Sequence, residues 1–458
     1  MSWLRRSLSC LVAVLVVAAA VTGVSESARD SVGSAFRHGW EQQLEWRGLN
    51  PHPVHLVKPQ AYPLSQGAQL GKRLFFDANL SVSGKQSCAS CHLPTIAYGP
   101  PNGLPAQLGG SDLSRQGVRA VPSLTYLWRT PSFSIGPDSD HDSDHPAAAP
   151  STVQPTGLPL TAKRADQAPV ATALVPQGGL FWDGRAATLQ AQAEGPLLNP
   201  LEMANPTAES VAGKLHAYES DLVRLFGARV LDNRGLLMHA ALFAISRFEI
   251  EDLSFHPYTS KFDDWLEGRT AFTTEEMRGY RAFNDPHKGN CGACHVDAPR
   301  LDWQPPLLTD NEYEALAVPR NPELASNHDP SYFDMGICGP YRTDMSAQSD
   351  YCGMFRTPSL RNVARRSVFF HNGRYHSLRD VMQFYNLRDV DPDRIYPKRV
   401  DGSLDIYDDM PAQYHRNVDI IDAPFGHRLG EKPPMSEQDI DDIIAFLGTL
   451  NDGYQSPH

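Results

Sequence analysis

Residues 181–203 read FWDGRAATLQAQAEGPLLNPLEM and lie between two copies of a five-residue motif. The copies are Cys88-Ala-Ser-Cys91-His92 and Cys291-Gly-Ala-Cys294-His295. In such a motif the two thiols, one helical turn apart, attach a porphyrin covalently, and the histidine that follows them ligates its iron. With only seven cysteines in 458 residues, two such motifs do not arise by chance. We therefore predict two covalently bound c-type haems, each organising its own domain. The alternative is two zinc-binding or disulfide-forming Cys-x-x-Cys pairs with bystander histidines.

The composition is typical of a folded protein, with 41% apolar and 21% charged residues. The formal net charge of −12 argues against binding to nucleic acid and favours a basic protein partner.

The N-terminus predicts export. Arg5 and Arg6 precede an apolar run from Leu8 to Val21 and small residues up to about Ala28, which is typical of a cleavable signal peptide over residues 1–28. The apolar run is shorter than the ~20 residues that a membrane span needs, and a retained anchor is the alternative. We find no other candidate span, so we expect no stable membrane span after signal removal and a periplasmic protein.

Helical spacing of apolar residues recurs along the chain, whereas strand signals are few. We therefore predict a mainly α fold with two cytochrome c-like haem domains, at residues 29–255 and 256–458, and long irregular loops. The predicted helices cover residues 65–76, 187–193, 208–250 (two or three helices), a segment beginning at 274, 377–385 and 436–450. One helix leads into each motif, which predicts an internal repeat, and the last helix should pack on the leading helix of its domain.

Two further features concern cysteine and metal chemistry. Cys338 and Cys352 remain after the signal and the two motifs, and in an oxidising compartment we expect a disulfide, with free thiols or a redox switch as alternatives. Residues 136–160 form a low-complexity acidic insertion that contains His141 and His145. A solvated loop explains it, although its Asp residues could hold a cation and its histidines could reach an iron.

Several blocks in order resemble the bacterial di-haem cytochrome c peroxidase superfamily, and within it the MauG-like branch. Besides the two motifs, the blocks are FFDANLS (75–81), FWDGRA (181–186), QAEGPLLNPLEM (192–203), FRTPSLRNV (355–363) and HNG (371–373). The resemblance implies an oxidoreductase that reduces hydrogen peroxide at the N-terminal haem, which His92 ligates.

The resemblance also assigns three catalytic residues. Glu202 is the acid/base on the peroxide side of the first haem, where a carboxylate can accept a proton from one peroxide oxygen and return it to the other. Gln192 lies in the same pocket, and Trp182 lies between the haems as a relay for oxidising equivalents. The structural alternatives are a loop cap for Glu202, an exposed position for Gln192 and a core tryptophan for Trp182.

At the second haem, ligated by His295, the family motif places Tyr385 where ordinary peroxidases have a methionine ligand. The MauG-like branch uses this tyrosine as the axial ligand, and a phenolate favours oxidised iron. The resemblance then implies that both haems share the oxidising equivalents of peroxide, as two ferryl irons. A core tyrosine is the alternative, with Met382 and Met354 as the nearest other ligands.

The sequence departs from the family at two positions. Leu108 occupies the position of a second histidine that blocks the first iron in ordinary peroxidases, so we expect an open resting site. The family's interdomain calcium uses an asparagine, but this chain has Ala120, so calcium is in doubt.

Three functions remain to be distinguished. The first is a peroxidase that takes electrons from a small redox protein or another external donor. The second is a MauG-like enzyme that oxidises aromatic residues of a partner protein. The third is a non-catalytic di-haem electron carrier, against which Glu202 and the open first site argue.

Overall fold

The computed structural model describes residues 39–137 and 174–455, so the predicted signal peptide and His141 and His145 of the insertion lie outside the described residues. Within these ranges the protein is mainly helical, as predicted. The α-helices are α1 (Gln66–Phe75), α2 (Cys88–Cys91), α3 (Leu189–Leu198), α4 (Ala208–Lys214), α5 (Glu219–Phe226), α6 (Arg234–Glu251), α7 (Lys261–Leu266), α8 (Thr274–Asn284), α9 (Leu378–Leu387) and α10 (Glu437–Gly448). Residues 39–46 are also helical.

The strands are short and form three antiparallel pairs in the described ranges. They are β1 (Leu108–Gly109) with β2 (Arg115–Gln116), β3 (Ser134–Pro137) with β4 (Leu174–Gln177), and β5 (Tyr313–Glu314) with β6 (Phe355–Arg356). The β3–β4 pair joins the two described segments on either side of residues 138–173, with Ser134 opposite Gln177. Most of the remaining chain is irregular, as the proline-rich sequence predicts.

In the first half, α1 packs along α6. The Ser65 hydroxyl caps α1 by accepting a hydrogen bond from the Ala68 amide at 3.1 Å, and Leu70 and Leu74 lie on its buried face. A Cβ atom on Gly71 would lie only 1.8 Å from the Ala244 carbonyl oxygen on α6. The two helices therefore touch through their backbones, and only glycine fits at the contact.

The second half repeats this arrangement. Helix α8 begins at the predicted capping box of Thr273 and Glu276, and it crosses the terminal helix α10. A Cβ atom on Gly279 would lie 1.8 Å from the Asp442 carbonyl oxygen of α10. The predicted internal repeat and the packing of the last helix on the leading helix are both confirmed.

The two halves are joined by buried contacts. Leu56, which precedes α1 in the chain, is buried in the core of the second half. The Tyr126 hydroxyl donates a hydrogen bond to Asp452 near the end of the chain at 2.6 Å. These contacts hold the cavities of the two halves in a fixed relation. The boundary between residues 255 and 256 stays a prediction.

The predicted disulfide is confirmed: Cys338 and Cys352 are bonded, 14 residues apart in sequence. The bond closes a loop that lies against the first half, where Arg342 donates a hydrogen bond to the Asp183 carbonyl at 2.9 Å. In the described ranges, no helix has the length and apolar character required to cross a membrane.

Candidate functional site: two linked cavities

The first motif lies in a small cavity of about 40 Å³ in the N-terminal half. Helices α1, α3 and α6 form its walls, together with the turn after α3. The side chains that line it include those of Phe75, Gln86, Cys88, Cys91, His92, Gln192, Glu202 and Glu249. The structure therefore brings Gln192 and Glu202 to the first motif, although they are about 100 residues away in sequence.

His92 is held as a neutral imidazole. Its main-chain amide donates to the Cys88 carbonyl at 2.9 Å, so a single helical turn places both thiols and the imidazole together. Burial lowers the pKa of His92 to about 4. Its Nδ1 lies 3.1 Å from the Tyr98 carbonyl oxygen, which can only accept a hydrogen bond. Nδ1 therefore carries the proton, and Nε2 keeps the lone pair that a metal requires.

Glu202 lies in the turn that follows α3. Burial raises its pKa above the ordinary value, while Arg185 and a hydrogen bond from Asn199 oppose this shift. The Asn199 Nδ2 atom donates to Glu202 Oε1 at 2.6 Å. A raised pKa makes the ionised carboxyl a stronger proton acceptor, which suits general acid/base catalysis.

The loop that contains Leu108 is fixed to the same turn. The Gly110 amide donates to the Glu202 carbonyl oxygen at 2.7 Å, and Leu108 is 46% exposed. Leu108 does not appear among the side chains lining the first cavity. A leucine also has no atom that could ligate a metal at this position.

The second motif lies in a larger cavity of about 250 Å³. Cys291, Cys294, His295, Tyr385 and Trp182 all line it. The His295 amide donates to the Cys291 carbonyl at 2.8 Å, and its Nδ1 lies 3.1 Å from the Leu308 carbonyl oxygen. Burial lowers the pKa of His295 to about 4, so this imidazole is also a neutral potential ligand.

Tyr385 projects from α9 into the second cavity. Its ring stacks on Phe425 with the centroids 5.5 Å apart. Burial raises the pKa of Tyr385 far above its usual range, and the buried cation Arg388 opposes this shift. A phenolate at Tyr385 thus needs a further positive charge, which a ferric iron would provide. Met382 also lines the cavity, whereas Met354 packs in a separate cluster.

The segment from Arg119 to Pro122 lies between the two cavities. Trp182 Nε1 donates to the Ala120 carbonyl at 2.8 Å, and the main chain at Pro122 contacts His92. Trp182 lines the second cavity, so this segment connects its indole to His92 of the first motif.

Arg119 crosslinks the halves at this junction. Its guanidinium pairs with Asp183 at 2.7 Å and with Asp334 at 2.6 Å, and all three side chains are at most 7% exposed. In the two described ranges, no group of three His, Cys, Asp or Glu side chains could hold a metal ion. This finding adds no support for the interdomain calcium.

Both cavities have the chemistry that a covalently attached haem requires. Each provides two thiols one turn apart and a neutral, oriented imidazole, and the walls are largely apolar. The second cavity also contains Arg366, whose guanidinium donates to the Val121 carbonyl at 2.9 Å, and burial lowers its pKa to about 10. A buried guanidinium facing a cavity suits the carboxylate of a porphyrin. The residues present therefore fit the predicted group.

Sequence reasoning missed several side chains of these cavities. Gln86 and Glu249 line the first cavity, and each has a buried oxygen without a hydrogen-bond partner in the described structure. Arg366 and Phe425 line the second. Asn199, which contacts Glu202, was also missed, although its place in the NPLEM block was a usable signal. The four cavity residues occur in ordinary helix or loop sequence.

Comparison with known proteins agrees with this geometry. The model of the di-haem cytochrome c peroxidase family matches residues 65–271. The chain is 30% identical over 417 residues to the methylamine utilization protein MauG of Paracoccus denitrificans, covering 88% of this chain and 94% of that protein. It is 28% identical over 333 residues to a cytochrome c551 peroxidase of Nitrosomonas europaea, covering 70% and 72%. The crystal structure of the diheme peroxidase BthA from Burkholderia thailandensis matches with a TM-score of 0.71 at 33% identity, covering 89% of this chain and 94% of that chain.

Proposed function

This chain belongs to the di-haem cytochrome c peroxidase family and is an oxidoreductase of the cytochrome c peroxidase/MauG type, and from that premise we propose that it reduces hydrogen peroxide at the first cavity. The observation that carries the proposal is that Glu202 and His92 line the same cavity. The two haems, bound through Cys88 and Cys91 and through Cys291 and Cys294, supply the irons that exchange electrons with peroxide.

His92 would hold the first haem iron through its free Nε2, and peroxide would bind in the same cavity beside Glu202. Glu202 accepts the proton from one oxygen of hydrogen peroxide and returns it to the other, which departs as water. Gln192 lies in the same cavity and helps to orient the bound peroxide by hydrogen bonding. With Leu108 in place of a blocking histidine, this site is open in the fully oxidised protein.

The second cavity would hold the haem that shares the oxidising equivalents of peroxide. His295 and Tyr385 would hold its iron, and an anionic phenolate favours oxidised iron. Trp182 couples the two sites; its indole lies in the second cavity and is hydrogen-bonded to the segment beside His92. An external donor, such as a small redox protein, would supply the electrons that peroxide reduction consumes.

A second candidate is the oxidation of aromatic side chains on a partner protein. Tyr385 favours it, because a site that stores oxidising equivalents without prior reduction can deliver them to a slow substrate. Catalytic turnover with a reduced cytochrome or cupredoxin supports the peroxidase. A peroxide-dependent mass change in a co-purifying protein supports the modifying enzyme.

The location and organisation of the protein form part of this proposal. A signal peptide over residues 1–28 directs the chain to the periplasm, where haem attachment takes place, and no stable membrane span remains. Residues 29–255 form the peroxide-reactive domain and residues 256–458 form the second haem domain. Leu56 adds a contact from the N-terminal arm to the second domain.

The decisive experiment mixes fully oxidised holoprotein with hydrogen peroxide, without reductant, in a stopped-flow spectrometer. We expect rapid absorbance changes from both haems. Glu202→Gln should slow them by a factor of about 10² to 10⁴, the usual contribution of a general acid/base. Glu194→Gln, on the same helix α3 but outside the first cavity, is the matched control and should react at the wild-type rate. A wild-type protein that reacts only after partial reduction would contradict the open site.

A further inference from the structure

The carboxylate of Glu202 is held by a side chain whose orientation is fixed. Asn199 Oδ1 accepts a hydrogen bond from the Leu201 amide at 2.9 Å, so the amide nitrogen must point the other way. That nitrogen donates to Glu202 Oε1 at 2.6 Å. A flipped Asn199 would place its oxygen against the carboxylate and lose both bonds. Glu202 is therefore fixed in one position by its own turn.

The second contact of this amide comes from the other half of the protein. Asn199 Nδ2 lies 3.5 Å from the hydroxyl of Tyr341, which is 142 residues further along the chain. Tyr341 belongs to the loop closed by the Cys338–Cys352 disulfide. The next residue, Arg342, ties this loop to the Asp183 carbonyl. The C-terminal half thus completes the surroundings of the first cavity.

The environment of Tyr341 argues for hydrogen bonding and against electron transfer. The guanidinium groups of Arg119 and Arg185 lie 5.3 and 4.9 Å from the centre of its ring. Removing an electron from a ring beside two cations is unfavourable, because the attraction between cation and π-electrons is lost. The hydroxyl oxygen accepts from Asn199, so its proton points away from Asn199. The two guanidinium groups hold the ring in place, and the hydroxyl is the part of Tyr341 that contacts Asn199.

We propose that Asn199 and Tyr341 are positioning residues that hold Glu202 in the geometry for proton transfer, so that the first haem site is complete only when the disulfide-closed loop of the second half is docked. This inference rests on the proposed function, because it assumes that Glu202 moves the peroxide proton. Neither residue contacts peroxide itself. Their effect is to limit the motion of the carboxylate.

The test compares Tyr341→Phe with Tyr351→Phe in the holoprotein. Tyr341→Phe keeps the ring against Arg119 and Arg185 and removes only the hydroxyl. Tyr351 lies in the same loop, and its hydroxyl donates to the Leu174 carbonyl at 3.0 Å, away from Glu202. Both variants lose one hydroxyl of this loop, so any general loosening of the loop should appear in both.

Two rates are measured for each variant: the reaction of oxidised holoprotein with hydrogen peroxide, and the binding of cyanide to it. Hydrogen cyanide must give up its proton on binding, so the cyanide rate reports the same proton acceptor without electron transfer. We expect Tyr341→Phe to lower both rates about three- to tenfold, the effect of one lost hydrogen bond. Tyr351→Phe should change neither rate, and Asn199→Ala should lower both at least as much as Tyr341→Phe.

Wild-type rates in Tyr341→Phe, or equal losses in both tyrosine variants, would overturn the inference. A wild-type protein that does not react with peroxide would instead refute the proposed function. In that case the cyanide rates would still show whether Tyr341 acts on Glu202.

Discussion

The contact between α1 and α6 at Gly71 predicts a large effect of one methyl group. Gly71→Ala should stabilise α1 by about 1 kcal/mol from helix propensity alone. The added Cβ, however, would lie 1.8 Å from the Ala244 carbonyl oxygen and 2.4 Å from its carbon, both backbone atoms of α6. An ordinary contact begins near 3.4 Å, so the two helices would have to separate by about 1.6 Å. Such overpacking costs roughly 1–3 kcal/mol or more.

The separation would also loosen the buried side chains of α1, because Leu70 and Leu74 pack between these helices. We therefore expect a net destabilisation of about 2 kcal/mol, since lost packing adds to the steric cost. The assay is urea unfolding followed by the absorbance of the first haem.

Gly67→Ala, on the same helix, is the matched control. A Cβ atom on Gly67 would meet Ser65 Oγ at 3.7 Å, an ordinary contact distance, so helix propensity should prevail and stability should be unchanged or slightly increased. If Gly71→Ala proves as stable as the wild type, the backbones of α1 and α6 are not in direct contact at Gly71.

Three other perturbations test separate parts of the structure. Tyr385→Met should raise the reduction potential of the second haem by on the order of 100 mV, because a neutral thioether replaces an anionic phenolate; an unchanged potential in a spectroelectrochemical titration would contradict ligation by Tyr385. Arg119→Met leaves Asp183 and Asp334 buried without their shared cation and should lower the free energy of unfolding by about 3 kcal/mol. If urea unfolding gives the wild-type free energy for this variant, the junction is not held by these ion pairs. Burial raises the pKa of Glu249 from 4.5 to about 8, so the folded protein keeps a proton that the unfolded chain loses, and stability should fall between these pH values. Glu249→Gln should remove that part of the fall, as measured by unfolding at about pH 5 and pH 8; an identical pH dependence in both proteins would refute it.

The helices could be predicted because their signals are local. Ser and Thr caps mark the starts of α8 and α10, and apolar residues at helical spacing follow them. Helix α3 was predicted to end at residue 193 but continues to Leu198 through Pro196. Proline removes one helical hydrogen bond, and sequence reasoning stops there. Burial of Leu197 shows that tertiary packing offsets the loss.

Of the residues at the two cavities, only those that belong to a recognisable sequence motif could be predicted. His92 and His295 follow from their own five residues, and Glu202 follows from the block around it. Tyr341 and Arg366 could not be found in this way, because Tyr341 meets Asn199, and Arg366 meets the second cavity, through contacts between distant segments. Their local sequences are ordinary loop sequences, and nothing in them indicates a neighbouring haem.

The Arg119 junction can form only after the second half of the chain has begun to be made. Synthesis proceeds from the N-terminus, and early domains begin to fold first. Asp334, which pairs with Arg119, is added 215 residues after it. A nascent first half therefore contains Arg119 and Asp183 without the carboxylate that completes their network. The junction beside the first cavity therefore reaches its final form only after Asp334 has joined the fold, so a product truncated before this residue would lack the completed network.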